Sequence, residues 1–183
     1  MSKFKGKAIA QAIGTDYFTL LELVPKRGVD LEIQDTVYIG KGKRDQIYKV
    51  LGKLDYENLT ATSRIELEYS IREIVNNNEE KFVDFFNTAG AISTRLHKLE
   101  LIPGIGKKYM WEIVEARKEK PFESFEDITT RIPSLNNPAE MIVNRVKQEL
   151  DTTTAKKGKK KYYLFTPIPK TQKKHRNNRN QRK

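Results

Sequence analysis

The chain has 183 residues, of which 37% are hydrophobic and 32% charged, with a formal net charge of +11 and no cysteine. It contains no apolar run long enough to span a bilayer, and no apolar signal-peptide core follows its basic N-terminal residues. The absence of cysteine excludes disulfides, thiolate zinc sites and cysteine nucleophiles, and we expect a cytoplasmic protein without membrane contact.

The positive charge is concentrated at the C-terminal end. Residues 1–150 contain 23 Lys and Arg and 23 Asp and Glu, whereas residues 151–183 contain 12 Lys and Arg and a single acid, Asp151. A neutral body has to bind ligands through individually placed groups, while a basic tail attracts any polyanion.

The first sixty residues have the pattern of short β-strands. β-Branched and aromatic residues are concentrated at 7–12, 17–24, 36–39 and 47–54, separated by turns rich in Gly, Pro and charged residues. Four or five such strands predict a small antiparallel barrel over residues 1–60. An OB-like barrel is the first choice, and an SH3-like barrel has the same signature.

Two sets of residues in this region are candidate contacts for nucleic acid. The basic turn at 40–44 supplies Lys41, Lys43 and Arg44. A solvated hairpin turn explains these three residues equally well. Aromatic residues suited to stacking on unpaired bases are Tyr17, Phe18, Tyr38 and Tyr48. Because side chains alternate along a strand, about half of such aromatics should point into the core.

Residues 61–90 predict two helices that dock on the barrel as a spacer. Ser63 and Glu66 form a capping-box pattern at the start of the first helix. Its predicted apolar face consists of Leu67, Ile71, Ile74 and Val75. The second helix is predicted through Phe82, Phe85 and Phe86 and ends near Gly90. Acidic residues outnumber basic ones here, so we expect no contact with nucleic acid.

Residues 91–151 predict two helical hairpins packed together. A helix starting after Ile92, with Ser93 or Thr94 as its N-cap, should lead into the turn Pro-Gly-Ile-Gly at 103–106, and an amphipathic helix follows at once. A second pair of helices is predicted at 121–128 and 139–150. The turn of this second hairpin lacks both glycines, and we expect it to be structural.

The first turn has the features of a phosphate site. Gly104 and Gly106 permit close approach of a ligand to the backbone, and the helix that follows leaves N–H groups that favour an anion. The candidate binding residues are Gly104, Ile105, Gly106, Lys107 and Lys108. The alternative is a tight interhelical turn at a protein contact.

The tail, residues 152–183, is predicted to be mostly disordered when free. Its candidate contacts to nucleic acid are Lys159, Lys160 and Lys161. Residues 162–165 (Tyr-Tyr-Leu-Phe) interrupt the basic composition. This apolar island either pairs as a strand or docks on the body.

The stretches 94–108 and 117–128 resemble an archaeal protein family of unknown function. The similarity extends from about Lys5 to Phe165. It implies an α+β multidomain protein: an OB-like N-terminal β-barrel, a helical spacer and an all-α tandem helix-hairpin-helix domain. It also implies RNA or nucleotide binding linked to translation, with the phosphate hairpin at 103–108. Met110 stands where a small residue often packs helix against helix in the wider hairpin superfamily.

No catalytic motif, metal cluster or dinucleotide fingerprint is recognisable, so we predict no enzyme and no cofactor. His97 has no metal-binding partners, and Trp111 either seals a domain interface, our preferred interpretation, or stacks on nucleic acid. The leading hypothesis is an RNA-binding protein that acts on structured or ribosomal RNA. The alternatives are a DNA-binding hairpin protein and a protein adaptor whose tail localises it on nucleic acid.

Overall fold

The structure, a computed structural model, describes residues 8–151 and 161–168. The described chain is a mixed α+β fold with two small antiparallel sheets. Its strands are β1 (Ala10–Ile13), β2 (Leu20–Pro25), β3 (Ile47–Lys53), β4 (Ala91–Ser93) and β5 (Leu96–His97). Its α-helices are α1 (Ala61–Asn77), α2 (Glu79–Thr88), α3 (Lys107–Glu119), α4 (Phe125–Arg131) and α5 (Pro138–Leu150). None of these helices combines the length and apolar character needed to cross a membrane.

The first sheet contains β1, β2 and β3, with β2 in the centre. Ala10 of β1 lies opposite Leu23, and Lys53 of β3 lies opposite Leu21. The strands predicted at 17–24 and 47–54 are confirmed with shorter bounds. The sequence predicts a small antiparallel barrel here, whereas the described residues form a three-stranded open sheet without a closed barrel.

The strand predicted at 36–39 is wrong, because the connection from β2 to β3 has irregular backbone. Gln34 has a left-handed φ of 70°, and its side-chain amide donates to the Glu66 carboxylate on α1 at 3.1 Å. The Asp35 carboxylate accepts a hydrogen bond from the N–H of Glu32 at 2.9 Å. Such side-chain bonds compete with a strand ladder, and β-propensity yields to tertiary context.

The helices predicted between 61 and 90 are confirmed. The buried face of α1 consists of the predicted Leu67, Ile71, Ile74 and Val75. Its N-cap is Thr60, whose Oγ1 accepts a hydrogen bond from the N–H of Ser63 at 3.1 Å, so Ser63 is not itself the cap. α2 follows after Asn78 and buries Phe82 and Phe86.

The helix predicted to start after Ile92 is wrong. Its place is taken by the β4–β5 hairpin and a 3-10 helix, Leu99–Leu101. The Glu100 carboxylate accepts from the N–H of His97 at 2.7 Å, and His97 Nδ1 accepts from the N–H of Leu99 at 3.1 Å. These side-chain acceptors satisfy backbone donors locally and leave only a short helical turn.

The last three helices are confirmed with adjusted starts. α4 begins at Phe125 because Ser124 Oγ accepts from the N–H of Asp127 at 3.0 Å. α5 begins at Pro138, a residue suited to the first helical position, after the cap Asn137.

One cluster of buried side chains joins the first sheet to all five helices. Its members include Phe18, Leu20, Ile71, Phe86, Ile113, Ile128 and Ile142. α1 is also tied to α5, because Arg72 Nε lies 3.1 Å from Glu140 and Lys147 pairs with Glu68. Secondary structure changes near residues 60 and 90, but the cluster crosses both positions. The division into domains stays a prediction.

The apolar island docks on the body, which confirms one of the two predicted alternatives. We call residues 161–168 the C-terminal strap. The Phe165 ring lies 5.5 Å from the Phe82 ring and 5.0 Å from the Phe85 ring, measured between centroids. The strap does not pair as a strand. Its Phe165 side chain packs against the core.

Candidate nucleic-acid interface

The turn at 103–108, hereafter the glycine turn, is held from beneath by apolar residues. Leu99, Ile102 and Ile105 are buried, and the N–H of Ile105 donates to the carbonyl of Ile102 at 3.0 Å. Ile105 therefore fixes the turn from the core side, and its backbone donor is already used. Gly104 is exposed with a φ of 88°, a conformation that strongly favours glycine.

The start of α3 has no side-chain cap. The N-cap is Gly106, in extended backbone, and no side chain in the described residues caps the first turn. Gly106, Lys107 and Lys108 are all exposed, and Lys108 Nζ lies 3.8 Å from Glu112. Exposed backbone donors and two ammonium groups thus occur together at the positive end of a helix dipole.

The second turn differs in its cap and in its charge. Asn137 caps α5, because its Oδ1 accepts from the N–H of Glu140 at 3.0 Å. Glu140 places an acid in the first turn of α5, where α3 has lysines, and this acid pairs with Arg72. The N–H of Glu140 therefore already has an acceptor within the chain, and the negative charge of Glu140 disfavours the binding of an anion.

The two turns adjoin each other through Met141. A Cβ added to Gly104 would lie 3.3 Å from Cε at the end of the flexible Met141 side chain, so the left-handed φ is the feature that favours glycine at 104. A Cβ added to Gly106 would meet nothing within 4 Å. Met110, which departs from the hairpin pattern, is 7% exposed and packs in the core.

The basic turn at 40–44 presents two of its three candidate cations to solvent. Lys41 and Lys43 are exposed. Arg44 Nε donates to the carbonyl of Gly40 at 3.0 Å, and Lys26 donates to the carbonyl of Arg44. Arg44 is thus partly occupied in shaping the turn.

Three of the four candidate stacking residues are exposed. Phe18 lies in the core, whereas more than half of the surface of Tyr17, Tyr38 and Tyr48 is accessible. Trp111 is 58% exposed. It therefore seals no interface among the described elements, contrary to our preferred interpretation from the sequence.

The predicted tail contacts divide between described and undescribed residues. Lys159 and Lys160 lie outside the described residues. Lys161 Nζ donates to the carbonyl of Asp151 at 3.0 Å, and burial lowers the pKa of this lysine. Lys161 therefore ties the strap to the end of α5.

The sequence did not reveal the Arg145–Glu149 pair, which connects the 3-10 helix before the glycine turn to the strap. Arg145 Nη1 donates to the carbonyl of Leu101 at 3.0 Å, and Nη2 donates to the carbonyl of Tyr162. Arg145 Nε lies 2.8 Å from Glu149, which is 2% exposed. In the sequence this is an ordinary i,i+4 pair, typical of a solvated helix face, so only its burial distinguishes it.

Electrostatics near the glycine turn also involve His97. Burial lowers the pKa of His97 below its ordinary value of 6.5, and the nearby positive charge of Arg117 acts in the same direction. No group of three or more His, Asp or Glu in the described residues could hold a metal ion.

Fold and site together define a small α+β protein in which an exposed glycine turn leads into an uncapped helix. The chain belongs to the family described as a protein of unknown function (DUF655), whose model matches residues 1–167. It is 48% identical over 157 residues to the uncharacterized protein MJ0038 of Methanocaldococcus jannaschii, covering 86% of this chain and 70% of that protein. It is also similar to the crystal structure of Af1531 from Archaeoglobus fulgidus, with 46% identity and a TM-score of 0.78. That match covers 88% of this chain and 86% of Af1531.

Proposed function

We propose that this protein binds RNA without enzymatic activity and that its glycine turn holds one backbone phosphate. The observation that carries the proposal is the start of α3, where Gly106, Lys107 and Lys108 are exposed and no side chain caps the helix. A phosphate would accept from the free N–H groups there and would complement the helix dipole and both lysines.

The comparison with the second turn supports this choice of site. The two turns occupy similar positions before α3 and α5, yet Asn137 and Glu140 make the second one capped and acidic. The φ of Gly104 gives that glycine a structural reason, but no such reason requires glycine at 106 or exposed lysines at 107 and 108.

A finer architecture belongs to the same proposal. In it, β1, β2 and β3 with the basic turn at 40–44 act as the OB-like module, and the two helical turns act as a tandem helix-hairpin-helix. Lys41 and Lys43 would contact phosphates, and the exposed rings of Tyr38 and Tyr48 would stack on unpaired bases. A phosphate contact positions the ligand but carries no sequence information.

The glycine turn is tested by Gly106→Leu in the full chain. The φ of −85° and the open space around Gly106 let the variant fold, while the added side chain blocks the approach of a phosphate. We expect binding of a structured RNA, measured by filter binding or anisotropy, to weaken about tenfold or more, the loss of one or two charge-assisted hydrogen bonds.

Gly90→Leu is the matched control, since a Cβ there also meets nothing within 4 Å. It should leave the affinity unchanged. If a folded Gly106→Leu protein binds the RNA with unchanged affinity, the glycine turn is not part of the RNA interface. Tighter binding to a DNA of matched sequence and structure would favour the DNA-binding alternative.

A further inference from the structure

A cleft separate from the glycine turn is lined by none of residues 103–108. It has a volume of about 700 Å³ and is enclosed by β1, the connection at 31–39 and α1. This volume is within the range of about 300–1,000 Å³ that commonly holds a ligand.

The lining of the cleft is apolar with an acidic rim. Its aliphatic residues include Ile9, Ile13, Leu21, Ile33, Val37 and Leu67. Its acids are Asp16, Glu32, Asp35, Glu66 and Glu73, and no Lys, Arg or His is among the described residues that line it. Lys81 approaches one end, where it donates to the carbonyl of Asp16. An acidic rim of this kind repels the phosphate backbone of a nucleic acid and attracts a cation.

A free strand edge adds the third feature. β1 is an edge strand, because it pairs with β2 alone. All four of its residues line the cleft, and no residue of β3 does. In the described part of the chain no backbone hydrogen bond is made to the outer side of β1. An extended peptide adds to such an edge by main-chain hydrogen bonds, with alternate side chains in apolar pockets.

We propose that this cleft binds an extended, cationic segment of a partner protein, in which Lys or Arg alternates with aliphatic residues. The segment would pair with β1, place its aliphatic side chains against Ile13 and Leu67, and place its cations beside Glu66 and Glu73. The chain's own residues 169–183 contain no Ala, Val, Leu, Ile, Met, Phe, Tyr or Trp to fill the apolar lining.

The test uses the full chain and a fluorescein-labelled peptide, Lys-Val-Lys-Ile-Lys-Val-Lys, with blocked ends. Anisotropy should report saturable binding, and hydrogen exchange should slow at residues 9–14 and 31–39. The double variant Glu66→Gln with Glu73→Gln should weaken binding about fivefold, the size of two exposed ion pairs.

Glu115→Gln with Glu119→Gln is the matched control, because both residues are exposed acids outside the cleft. It should bind the peptide as the wild type does. If both double variants weaken peptide binding equally, the acids act only through the overall charge of the protein, and the proposal is overturned. Equal binding of Glu-Val-Glu-Ile-Glu-Val-Glu, or of Lys-Ser-Lys-Ser-Lys-Ser-Lys, would overturn it as well.

Chains lacking residues 2–7 or 169–183 test occupation of the cleft by the protein's own ends. Binding of the probe to both truncated chains with the affinity of the full chain supports a partner segment. If the probe binds only after one of the two deletions, the deleted segment occupies the cleft in the full chain, and the proposal of a partner protein is wrong. The proposal does not depend on RNA binding, because neither the probe nor the variants involve the glycine turn.

Discussion

The imidazole of His97 lies directly before the 3-10 helix that leads into the glycine turn. Its Nδ1 accepts a hydrogen bond from the N–H of Leu99, which requires that nitrogen to be unprotonated. Burial lowers the pKa of His97, and Arg117 adds to the effect, while Glu100 opposes it. The folded protein therefore favours the neutral form of this side chain, and protonation would remove an acceptor at the entrance of the turn.

Stability should accordingly depend on pH through His97. The folded pKa lies below the ordinary value of 6.5, so between these two values the unfolded chain binds more protons. The free energy of unfolding then falls as pH decreases from about 6.5 towards the folded pKa, and changes no further through this group below it. We expect urea denaturation at about pH 7.5 and about pH 5.5 to show a larger loss for wild type than for His97→Asn. Equal losses would contradict this role, since His175 is present in both proteins.

Residue-scale predictions from the sequence were accurate where local chemistry decides them. The left-handed Gly104 and the exposed Gly106 follow from a turn that enters a helix at once. Ile105 and Lys161 illustrate what was not predictable. The sequence marks Ile105 as part of a binding motif and Lys161 as a solvated cation, but both are largely occupied by contacts within the chain.

At the scale of elements, the docking of the C-terminal strap depends on one buried carboxylate. Glu149 accepts hydrogen bonds from the backbone N–H groups of Leu164, Phe165 and Thr166, at 2.7 to 3.0 Å. The same carboxylate pairs with Arg145. A buried charge is tolerated only when such bonds satisfy it, so the strap and the Arg145–Glu149 pair depend on each other.

Removal of the carboxylate should therefore release the strap and destabilise the fold. In Glu149→Ala, Arg145 loses its buried partner, and we expect the free energy of unfolding to fall by about 3–5 kcal/mol. Chemical denaturation measures this change. Glu115→Ala is the control, because the exposed Glu115–Lys118 pair contributes about 0.5 kcal/mol or less.

Phe165→Ala removes the strap's contacts with Phe82 and Phe85 and provides an independent check. If the strap docks as a unit, the double variant with Glu149→Ala should lose less stability than the sum of the single variants. Additive losses would show that the carboxylate and the ring act separately.

Two elements that the sequence misassigned share a physical cause. The segments at 36–39 and after Ile92 have residues typical of a strand and a helix, respectively. In or next to each segment, a side-chain carboxylate accepts from a backbone N–H, Asp35 from Glu32 before the first and Glu100 from His97 in the second. The helices with long apolar periodicity, α1 and α5, were predicted correctly because their buried faces repeat over several turns.

At the scale of the whole molecule, the acids that line the cleft and the exposed lysines belong to different segments of the chain. The cleft between β1 and α1 is lined by acids, whereas exposed lysines occur at the glycine turn and at 40–44. The largest excess of positive charge follows the strap, since residues 169–183 contain seven Lys and Arg and no acid. A chain ending at Ile168 therefore separates the charge of the tail from the packing of the strap.

Truncation after Ile168 should change binding but not stability. If the seven cations contact single-stranded RNA, the slope of log affinity against log salt should become shallower by up to about 5, at about 0.7 per contact. Thermal denaturation should match that of the full chain, whereas a chain ending at Asp151 should unfold at lower temperature because it lacks the strap. An unchanged salt slope would exclude the tail from the interface.

The sequence by itself indicated α1 to α5, the two turns before α3 and α5 and the separation of a neutral body from a basic tail, because spacing, capping and charge counts are local properties. It also indicated a helix after Ile92 that the structure does not contain. Only the tertiary structure decided that the first sheet is open, that residues 161–168 pack on Phe82 and Phe85, and that the Arg145–Glu149 pair is buried. It also decided that five acids meet around one apolar cleft. The sheet, the docked strap and the cleft join residues far apart in the chain, and the Arg145–Glu149 pair differs from a solvated i,i+4 pair only by its burial.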